Sequence, residues 1–194
     1  LKELRDAIGY DRDVVCTIES RMPVEDRYPK GREIPTFIEY SNDFSQINQY
    51  CDRVRIMAYD QGRADFTLND KREHPYTPVA DTEWVEKVMR LAADEIDHTQ
   101  LSIGVATYGY ESDMFLQNGL MRYSRLWSFN PGYATSVAET VGVEPVRHES
   151  GELLLTFPAN KSPEEIPLPN ATRVLFWSDA GAVEEKVVLA KALG

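Results

Sequence analysis

The sequence predicts an α/β fold in which helices cover a parallel sheet. Three short apolar runs, at 14–19, 54–59 and 101–107, have the β-branched composition of buried strands. Helical patterns alternate with them: one opens the chain, a short one spans 44–51, and the clearest spans 82–96. Strands that alternate with helices along a chain build parallel sheets with covering helices, so this order indicates the α/β class.

Local signals support the individual elements. Leu1, Leu4 and Ile8 recur at helical spacing and predict an apolar face on the opening helix. The run VVCTIE at 14–19 is typical of a strand buried on both faces. Asp81 is a suitable N-cap for the third helix. The predicted buried stripe of that helix consists of Trp84, Val85, Val88, Met89, Ala92 and Ile96.

The pattern changes after residue 108. Polar and apolar residues alternate in LMRYSRLW, which predicts an antiparallel sheet with one solvated face. We expect its strands at 122–129, 143–147, 153–157 and 173–177, with a helix near 135–141. Asp179 is the predicted N-cap of a last helix, and the segment 60–78 is predicted to be a long loop.

Composition excludes several classes of function. The chain has 194 residues, a formal net charge of −11 and no cluster of Lys or Arg, so we expect no nucleic-acid partner. No apolar run approaches the ~20 residues that span a bilayer, so no membrane partner is expected. Cys16 and Cys51 match neither a metal spacing nor a disulfide framework, and we expect two buried thiols. His74, His98 and His148 lie in polar loop contexts, so we expect them at the surface. None of them has a second ligand at metal spacing, and we expect neither a metal nor a cofactor.

The best candidate for chemistry is the strand that ends in Met57-Ala58-Tyr59-Asp60. In a parallel barrel the carboxyl ends of the strands meet at the mouth where active sites are built. A carboxylate there has to be hydrogen-bonded or paired, and a neighbouring Tyr hydroxyl is a suitable donor. On this segment alone, the same residues are also consistent with the end of a strand and the start of a turn.

The segment RIMAYDQ resembles the sixth barrel strand of family 18 glycoside hydrolases, a family of chitinases and peptidoglycan N-acetylglucosaminidases with the signature Met-x-Tyr-Asp. Further landmarks follow in the family's order. PVADTEWVEKVMRLAADEI resembles the next helix of spore-cortex-type members, and LSIGVATYGYE resembles the seventh strand, with Gly104, Tyr108 and Gly109 in its Gly-x-x-x-Tyr-Gly ending. LFWSDAGAVEEKVVLAKALG resembles the family's later segment with an Asp-Ala pair, and LKELRDAI resembles its fourth barrel helix.

For the fold, the resemblance implies a partial (β/α)8 TIM barrel: the C-terminal half of the catalytic barrel, with about strands five to seven. It divides the chain into a barrel segment at 1–110, an α+β insertion at 111–177 and barrel helix seven at 178–194. Because so few strands cannot close a barrel, we expect this segment alone to be inactive. The family also suggests an extracellular or cell-envelope location, whereas the sequence leaves the oligomeric state open.

For the function, the resemblance implies hydrolysis of β-1,4-linked N-acetylglucosamine polymers, either chitin or peptidoglycan. The family's mechanism is substrate-assisted and retaining, because the N-acetyl oxygen of the sugar itself attacks the anomeric carbon. By position, Tyr59 and Asp60 would be catalytic: Tyr59 would hydrogen-bond the acetamido oxygen, and Asp60 would bind the sugar and hold its distorted ring. Met57 would line the floor of the −1 pocket, and Gln61 would reach the leaving side. The expected substrate contacts are therefore Met57, Gln61, Tyr108 and Tyr110.

The family's proton donor is missing from the sequence. It is the glutamate of an Asp-x-x-Asp-x-Asp-x-Glu run, which does not occur here, and the eighth strand with its Trp is missing too. Glu19 is a conceivable surrogate, but a pair with Arg21 or a loop cap is the simpler interpretation. Three alternatives stay open: a hydrolase whose acid lies outside this chain, a chitinase-like carbohydrate-binding protein without the acid, and an unrelated α/β domain.

Overall fold

The structure, a computed structural model, describes residues 1–159 and 170–194. Its first part is a three-stranded parallel sheet in the order β1–β2–β3. The strands are β1 (Val15–Glu19), β2 (Arg53–Met57) and β3 (Leu101–Gly104), and the helices are α1 (Lys2–Ile8), α2 (Phe44–Tyr50), α3 (Phe66–Lys71) and α4 (Thr82–Ala93). The predicted α/β class is confirmed. The predicted loop at 60–78 contains α3, whose six residues are too few to show a period.

Helices cover one face of this sheet. Val54 and Ile56 of β2 have no exposed surface and belong to one core with the predicted stripe of α4. Burying a side chain of this size contributes about 1.5–3 kcal/mol, so this face dominates the stability of the sheet. The carboxylate of Asp81 accepts the backbone N–H of Glu83 at 2.8 Å, as predicted for the N-cap. The helix ends at Ala93, three residues earlier than expected.

The opposite face of the sheet is exposed, contrary to the prediction of a strand buried on both faces. Val15 is 43% exposed, and Arg53 and Arg55 are exposed as well. Side chains alternate between the two faces of a strand, and no described element covers this second face. Thr17 and Glu19 interrupt the apolar run with this period, so the sequence already contained the signal of a half-exposed strand.

The opening helix α1 is attached by Arg5 and by Ile8, whereas the other two residues of its apolar set, Leu1 and Leu4, face solvent. Leu1 and Leu4 are 51% and 50% exposed. Arg5 is buried, and its Nη2 donates to the backbone oxygen of Tyr50 at 2.8 Å and to a carboxylate oxygen of Asp52 at 2.5 Å. The helical period was read correctly, but the buried side of the helix carries the charged residue.

Cys16 and Cys51 form a disulfide, with their Cα atoms 6.0 Å apart, so the expectation of two thiols is wrong. Cys16 lies in β1 on the side that packs on the helices, and Cys51 follows the last residue of α2. Helix α2 returns the chain to the sheet, which brings together two cysteines separated by 35 positions. A spacing pattern along the sequence does not contain this contact.

The second part of the structure is a five-stranded antiparallel sheet in the order β5–β4–β8–β7–β6. Residues 160–169 of the expected insertion lie outside the described residues. The elements are β4 (Gly109–Gln117), β5 (Leu120–Phe129), α5 (Pro131–Val141), β6 (Val146–Arg147), β7 (Leu153–Pro158), β8 (Thr172–Trp177) and α6 (Ala180–Leu193). The carboxylate of Asp179 accepts the N–H of Ala182 at 3.0 Å, as predicted for the N-cap of α6.

Strand β4 was not predicted, although it lies between two other strands of the sheet. Its sequence, GYESDMFLQ, lacks the apolar alternation of a strand, because the charged residues Glu111 and Asp113 occupy positions that face the protein interior. Arg173 of β8 binds both carboxylates: it donates to Glu111, and its Nε lies 2.7 Å from Asp113 Oδ1. The hydroxyl of Tyr133 donates to Glu111 at 2.8 Å. A buried ion cluster therefore replaces the apolar pattern that would have revealed the strand.

Candidate functional site

The predicted site residues lie where the two sheets meet. Tyr59 and Asp60 directly follow β2, Tyr108 follows β3, and Tyr110 is the second residue of β4. Because β2 and β3 are parallel neighbours, their carboxyl ends open on the same edge of the sheet. The structure thus brings these four side chains together from positions about fifty residues apart in the sequence.

Asp60 is the centre of this group. The hydroxyls of Tyr108 and Tyr110 both donate to its Oδ1, at 2.5 and 2.7 Å. No described residue hydrogen-bonds the other carboxylate oxygen, and Asp60 is exposed. It also has a φ of 63°, a conformation that is uncommon for a residue other than glycine. One carboxylate oxygen is therefore fixed by the protein, and the other is accessible to a ligand.

Both tyrosines remain phenols at neutral pH. Burial, together with the hydrogen bond to Asp60, raises the pKa of Tyr108 and of Tyr110 above the ordinary value. The two groups can therefore only donate to the carboxylate, which they solvate without adding a counter-charge. The rings of Tyr108 and Tyr110 meet edge to face at 5.5 Å, which holds the pair in this orientation.

Tyr59 and Met57 lie at the same edge of the parallel sheet as Asp60. The ring of Tyr59 contacts that of Tyr108 edge to face, at 6.3 Å between centroids. Met57 pairs in register with Gly104 of β3. A Cβ at Gly104 would lie 2.7 Å from the carbonyl oxygen of Ile56 and 3.3 Å from the ring of Tyr59. The glycine of the predicted Gly-x-x-x-Tyr-Gly ending therefore provides the space in which Tyr59 lies against β3.

A cleft of about 390 Å³ adjoins Tyr59 and Asp60. Its other walls are formed by segments 19–22 and 38–42 and by Trp84 of α4. Trp84 is 2% exposed, and its indole Nε1 has no hydrogen-bond partner among the described residues. The sequence predicts Trp84 only as part of the buried stripe of the helix. The indole N–H is itself buried, so Trp84 contributes to the cleft as a wall residue.

Glu19 lines the same cleft, at the end of β1. The pair with Arg21 expected from the sequence does not form. The guanidinium of Arg21 instead lies over the ring of Phe44 at 3.8 Å, and its Nη1 is 3.7 Å from Glu95. The backbone oxygen of Glu19 accepts a hydrogen bond from the side chain of Asn42 at 3.2 Å, which closes the loop between β1 and α2.

Gln61 borders the cleft, but its side-chain amide is turned into the protein. It is 3% exposed; its Nε2 donates to the hydroxyl of Tyr76 at 2.8 Å, and its Oε1 accepts the N–H of Asp81 at 2.8 Å. Its backbone N–H donates to Val79 at 2.9 Å. Both ends of the amide are thus used inside the protein, and we assign Gln61 a positioning role that fixes the chain directly after Asp60.

The loop that holds Gln61 is anchored in turn by the antiparallel sheet. Glu152, which has no exposed surface, accepts the backbone N–H groups of Val79 and Ala80 at 2.8 and 3.1 Å and the hydroxyl of Ser178 at 2.7 Å. Burial raises the pKa of Glu152 above its ordinary value. The loop that follows the site is therefore held to the second part of the structure by a buried carboxyl group, in addition to the direct hydrogen bond from Tyr110 to Asp60.

Within residues 1–159 and 170–194, no group of His, Cys, Asp or Glu side chains is arranged to hold a metal ion.

His148 differs from the expected surface residue: it is half-buried against the ring of Phe176, at 5.1 Å between centroids, and burial lowers its pKa. None of the described helices is long and apolar enough to span a membrane.

Comparison with solved structures identifies the fold. The chain superimposes on the spore cortex-lytic enzyme SleL of Bacillus cereus with a TM-score of 0.69 and 14% identity, over 98% of this chain and 38% of that one. For the C-terminal domain of a putative chitinase from Desulfitobacterium hafniense, the TM-score is 0.68 with 16% identity, over 100% and 49%. For a chitinase from Chromobacterium violaceum, it is 0.67 with 16% identity, over 98% and 50%.

The chain therefore has a chitinase-like fold, as the resemblance predicted. It spans half or less of each of these three structures. No protein-family profile matches the sequence, and no characterised protein matches it by sequence. The likeness is thus one of three-dimensional structure at low sequence identity.

Proposed function

We propose that the protein is a family 18 type glycoside hydrolase that acts on β-1,4-linked N-acetylglucosamine polymers. The observation that carries this proposal is the geometry of Asp60, an exposed carboxylate held by two tyrosine hydroxyls beside Tyr59 at the carboxyl edge of a parallel sheet. The fold that the chain shares with chitinases and a spore cortex-lytic enzyme supports the same substrate class, chitin or peptidoglycan.

The proposed reaction uses the substrate's own nucleophile. The acetamido oxygen of the sugar attacks the anomeric carbon as the glycosidic bond breaks, a general acid protonates the leaving oxygen, and water then opens the cyclic intermediate with retention. Tyr59 donates to the acetamido oxygen and orients it. Asp60 accepts from the acetamido N–H or a ring hydroxyl through its free oxygen, which favours the positive charge that develops on the acetamido group. Met57, Tyr108 and Tyr110 lie outside the lining of the cleft and are proposed to contact the sugar on the other side of Asp60.

In the proposed architecture, β1, β2 and β3 are strands five to seven of a TIM barrel. Segment 111–177 is then an α+β insertion after the seventh strand, and 178–194 is barrel helix seven. The parallel order of the three strands and the exposed second face of the sheet support this arrangement, because the inner face of a barrel is covered only by the other strands.

The general acid is proposed to lie outside these 194 residues, because the sequence contains no Asp-x-x-Asp-x-Asp-x-Glu run. The same observation favours a second candidate function, a chitinase-like protein that binds the polymer without cleaving it. The disulfide supports an extracellular or cell-envelope location for either function, because disulfides persist in oxidising compartments.

Asp60→Asn in the protein as encoded by its gene tests the assignment. Removing one preorganised electrostatic contact is expected to lower kcat/KM on N-acetylglucosamine oligomers by about 10²–10³-fold. The matched control is Asp70→Asn, an exposed aspartate in α3 without a hydrogen-bonding partner among the described residues, which should leave kcat/KM unchanged.

Equal rates for wild type and Asp60→Asn would remove Asp60 from the site. If neither protein hydrolyses any oligomer, calorimetric titration with the same oligomers separates the two candidates. Binding that is lost in Asp60→Asn would favour the non-catalytic carbohydrate binder, and no binding by the wild type would reject both functions.

A further inference from the structure

An arginine of the antiparallel sheet lies beside the candidate site. The guanidinium of Arg125, in β5, stacks on the ring of Tyr110 at 3.8 Å from the ring centroid. Tyr110 in turn donates to Asp60. The Nη2 of Arg125 also lies near the chain at Gly62, where a Cβ would be 3.5 Å from this atom. Arg125 is thus held at a defined place next to the carboxylate, by a ring contact and by the backbone that follows Gln61.

Arg125 has no direct ion-pair partner among the residues that the structure describes. Arg125 is exposed, and it forms no ion pair or hydrogen bond with the residues that the structure describes. By contrast, Arg5, Arg72, Arg147 and Arg173 each bind at least one carboxylate. The net charge of the chain is −11, so acidic side chains are abundant as partners. A stacked guanidinium without a counter-ion keeps its hydrogen-bond donors for a ligand.

A second arginine stacks on a ring of the same strand as Arg125. Tyr123 and Arg125 lie two positions apart on β5 and face the side of the sheet that carries Tyr110. Arg63, which follows Gly62, has its guanidinium over the ring of Tyr123 at 4.9 Å. Arg63 is partly buried and contributes through its positive charge. Arg125 is exposed and can contact a ligand directly. Both arginines escape a search for basic clusters because they are distant in sequence.

We propose that Arg125 determines specificity for N-acetylhexosamine polymers that carry a carboxylate, such as glycan with lactyl ether groups, over neutral chitin. This inference rests on the proposed function. A planar guanidinium binds a carboxylate through two parallel hydrogen bonds, and neutral N-acetylglucosamine offers no such group. An acidic protein repels an acidic polymer at long range, so a local unpaired cation is needed where the polymer lies against the site.

The test compares three tetrasaccharides that differ only in their lactyl groups, which are free acids, methyl esters or absent. They are a peptide-free tetrasaccharide of alternating N-acetylglucosamine and N-acetylmuramic acid, the same tetrasaccharide with methyl-esterified lactyl groups, and chitotetraose. Dissociation constants are measured by calorimetric titration of the protein as encoded by its gene. We expect the wild type to bind the free acid about tenfold more tightly than its ester, as one charge-assisted contact allows.

Arg125→Gln should abolish that preference and leave the dissociation constants of the ester and of chitotetraose within about twofold. Arg125→Lys, which retains the charge without the planar fork, should retain part of the preference. The matched control is Arg122→Gln, an exposed arginine on the other face of the same strand, which should behave as the wild type.

The outcomes separate the inference from the function on which it rests. Equal binding of acid and ester by the wild type, or an unchanged preference in Arg125→Gln, overturns the role of Arg125 and leaves the proposed function intact. Asp60→Asn should instead weaken all three probes together. If the wild type binds and cleaves none of them, both the inference and the proposed function are wrong.

Discussion

Asp60 in the parallel part and Asp113 in the antiparallel part show two ways of holding a carboxylate. Asp60 is exposed and receives hydrogen bonds from two neutral hydroxyls. Asp113 is 4% exposed and is paired, together with Glu111, with the charged Arg173. The first arrangement leaves an oxygen and a net charge for a ligand. The second uses the charge inside the protein, where nothing from solvent can contact it.

The two sheets are also secured differently. The parallel sheet has one apolar face packed on helices and a covalent link between Cys16 and Cys51. The antiparallel sheet also buries apolar residues, but it adds the ion cluster around Arg173 at a position where an ordinary strand would bury apolar side chains. The contrast implies that charge substitutions have their largest effect on stability in the second sheet and their largest effect on activity at the edge of the first.

The largest effect on stability is expected for Arg173→Ala. It leaves two buried carboxylates without their cation, and breaking such a cluster costs about 3–5 kcal/mol in the free energy of unfolding. Asp60→Asn should cost less than about 1.5 kcal/mol, because it weakens two hydrogen bonds to an exposed group. Urea denaturation monitored by tryptophan fluorescence measures both, with Arg122→Ala as an exposed control. Equal losses for Arg173→Ala and Asp60→Asn would contradict the contrast.

A smaller loss is expected when the disulfide is removed. The double variant Cys16→Ser, Cys51→Ser frees a loop of 35 positions in the unfolded chain, which corresponds to about 2–4 kcal/mol. Dithiothreitol should lower the stability of the wild type to that of the variant and leave the variant itself unchanged. A wild type that is insensitive to the reductant, with two titratable thiols, would show that the cysteines are not linked.

The smallest effect is expected at the N-cap of α6. The hydrogen bond from Arg147 lowers the pKa of Asp179 to about 2. A carboxyl group whose pKa is lower in the folded state stabilises the protein above its unfolded value of about 4, and this contribution is lost as the pH falls through about 2. Asp179→Asn, which keeps a good N-cap, should therefore cost about 0.5–1 kcal/mol at pH 7.

The difference between wild type and Asp179→Asn should shrink as the pH falls from 4 to 2, in thermal unfolding measured at fixed ionic strength. Glu184→Gln, an exposed residue of the same helix, serves as the control and should show no such dependence. A difference that is the same at pH 7 and pH 2 would mean that the ion pair with Arg147 does not contribute.

Sequence patterns predicted the parts of this fold in which apolar residues follow a regular period. The stripe of α4 and the alternating order of helices and strands are of this kind. They failed where polar groups take apolar places, as in β4 with Glu111 and Asp113, and where the contact is between distant positions, as in the disulfide.

The candidate site shows the same division. The motif gave Tyr59 and Asp60 and the strand ending gave Tyr108 and Tyr110, because these residues lie at strand ends that a parallel order brings to one edge. The orientation of Gln61 depends on hydrogen bonds to Tyr76 and Asp81, and the stacking of Arg125 on Tyr110 depends on the pairing of β4 with β5. Neither the orientation of Gln61 nor the stacking of Arg125 can be predicted from the spacing of residues along the sequence.

The contacts of Glu152 have a consequence for how this sequence can change over evolutionary time. Its carboxylate binds the backbone N–H groups of residues 79 and 80, which are present whatever side chains occur there. The requirement for an acid in these two contacts thus falls on position 152, while residues 79 and 80 take part through their backbone and can be exchanged for others of similar size. Lineages that alter this edge of the cleft can retain its anchor unchanged.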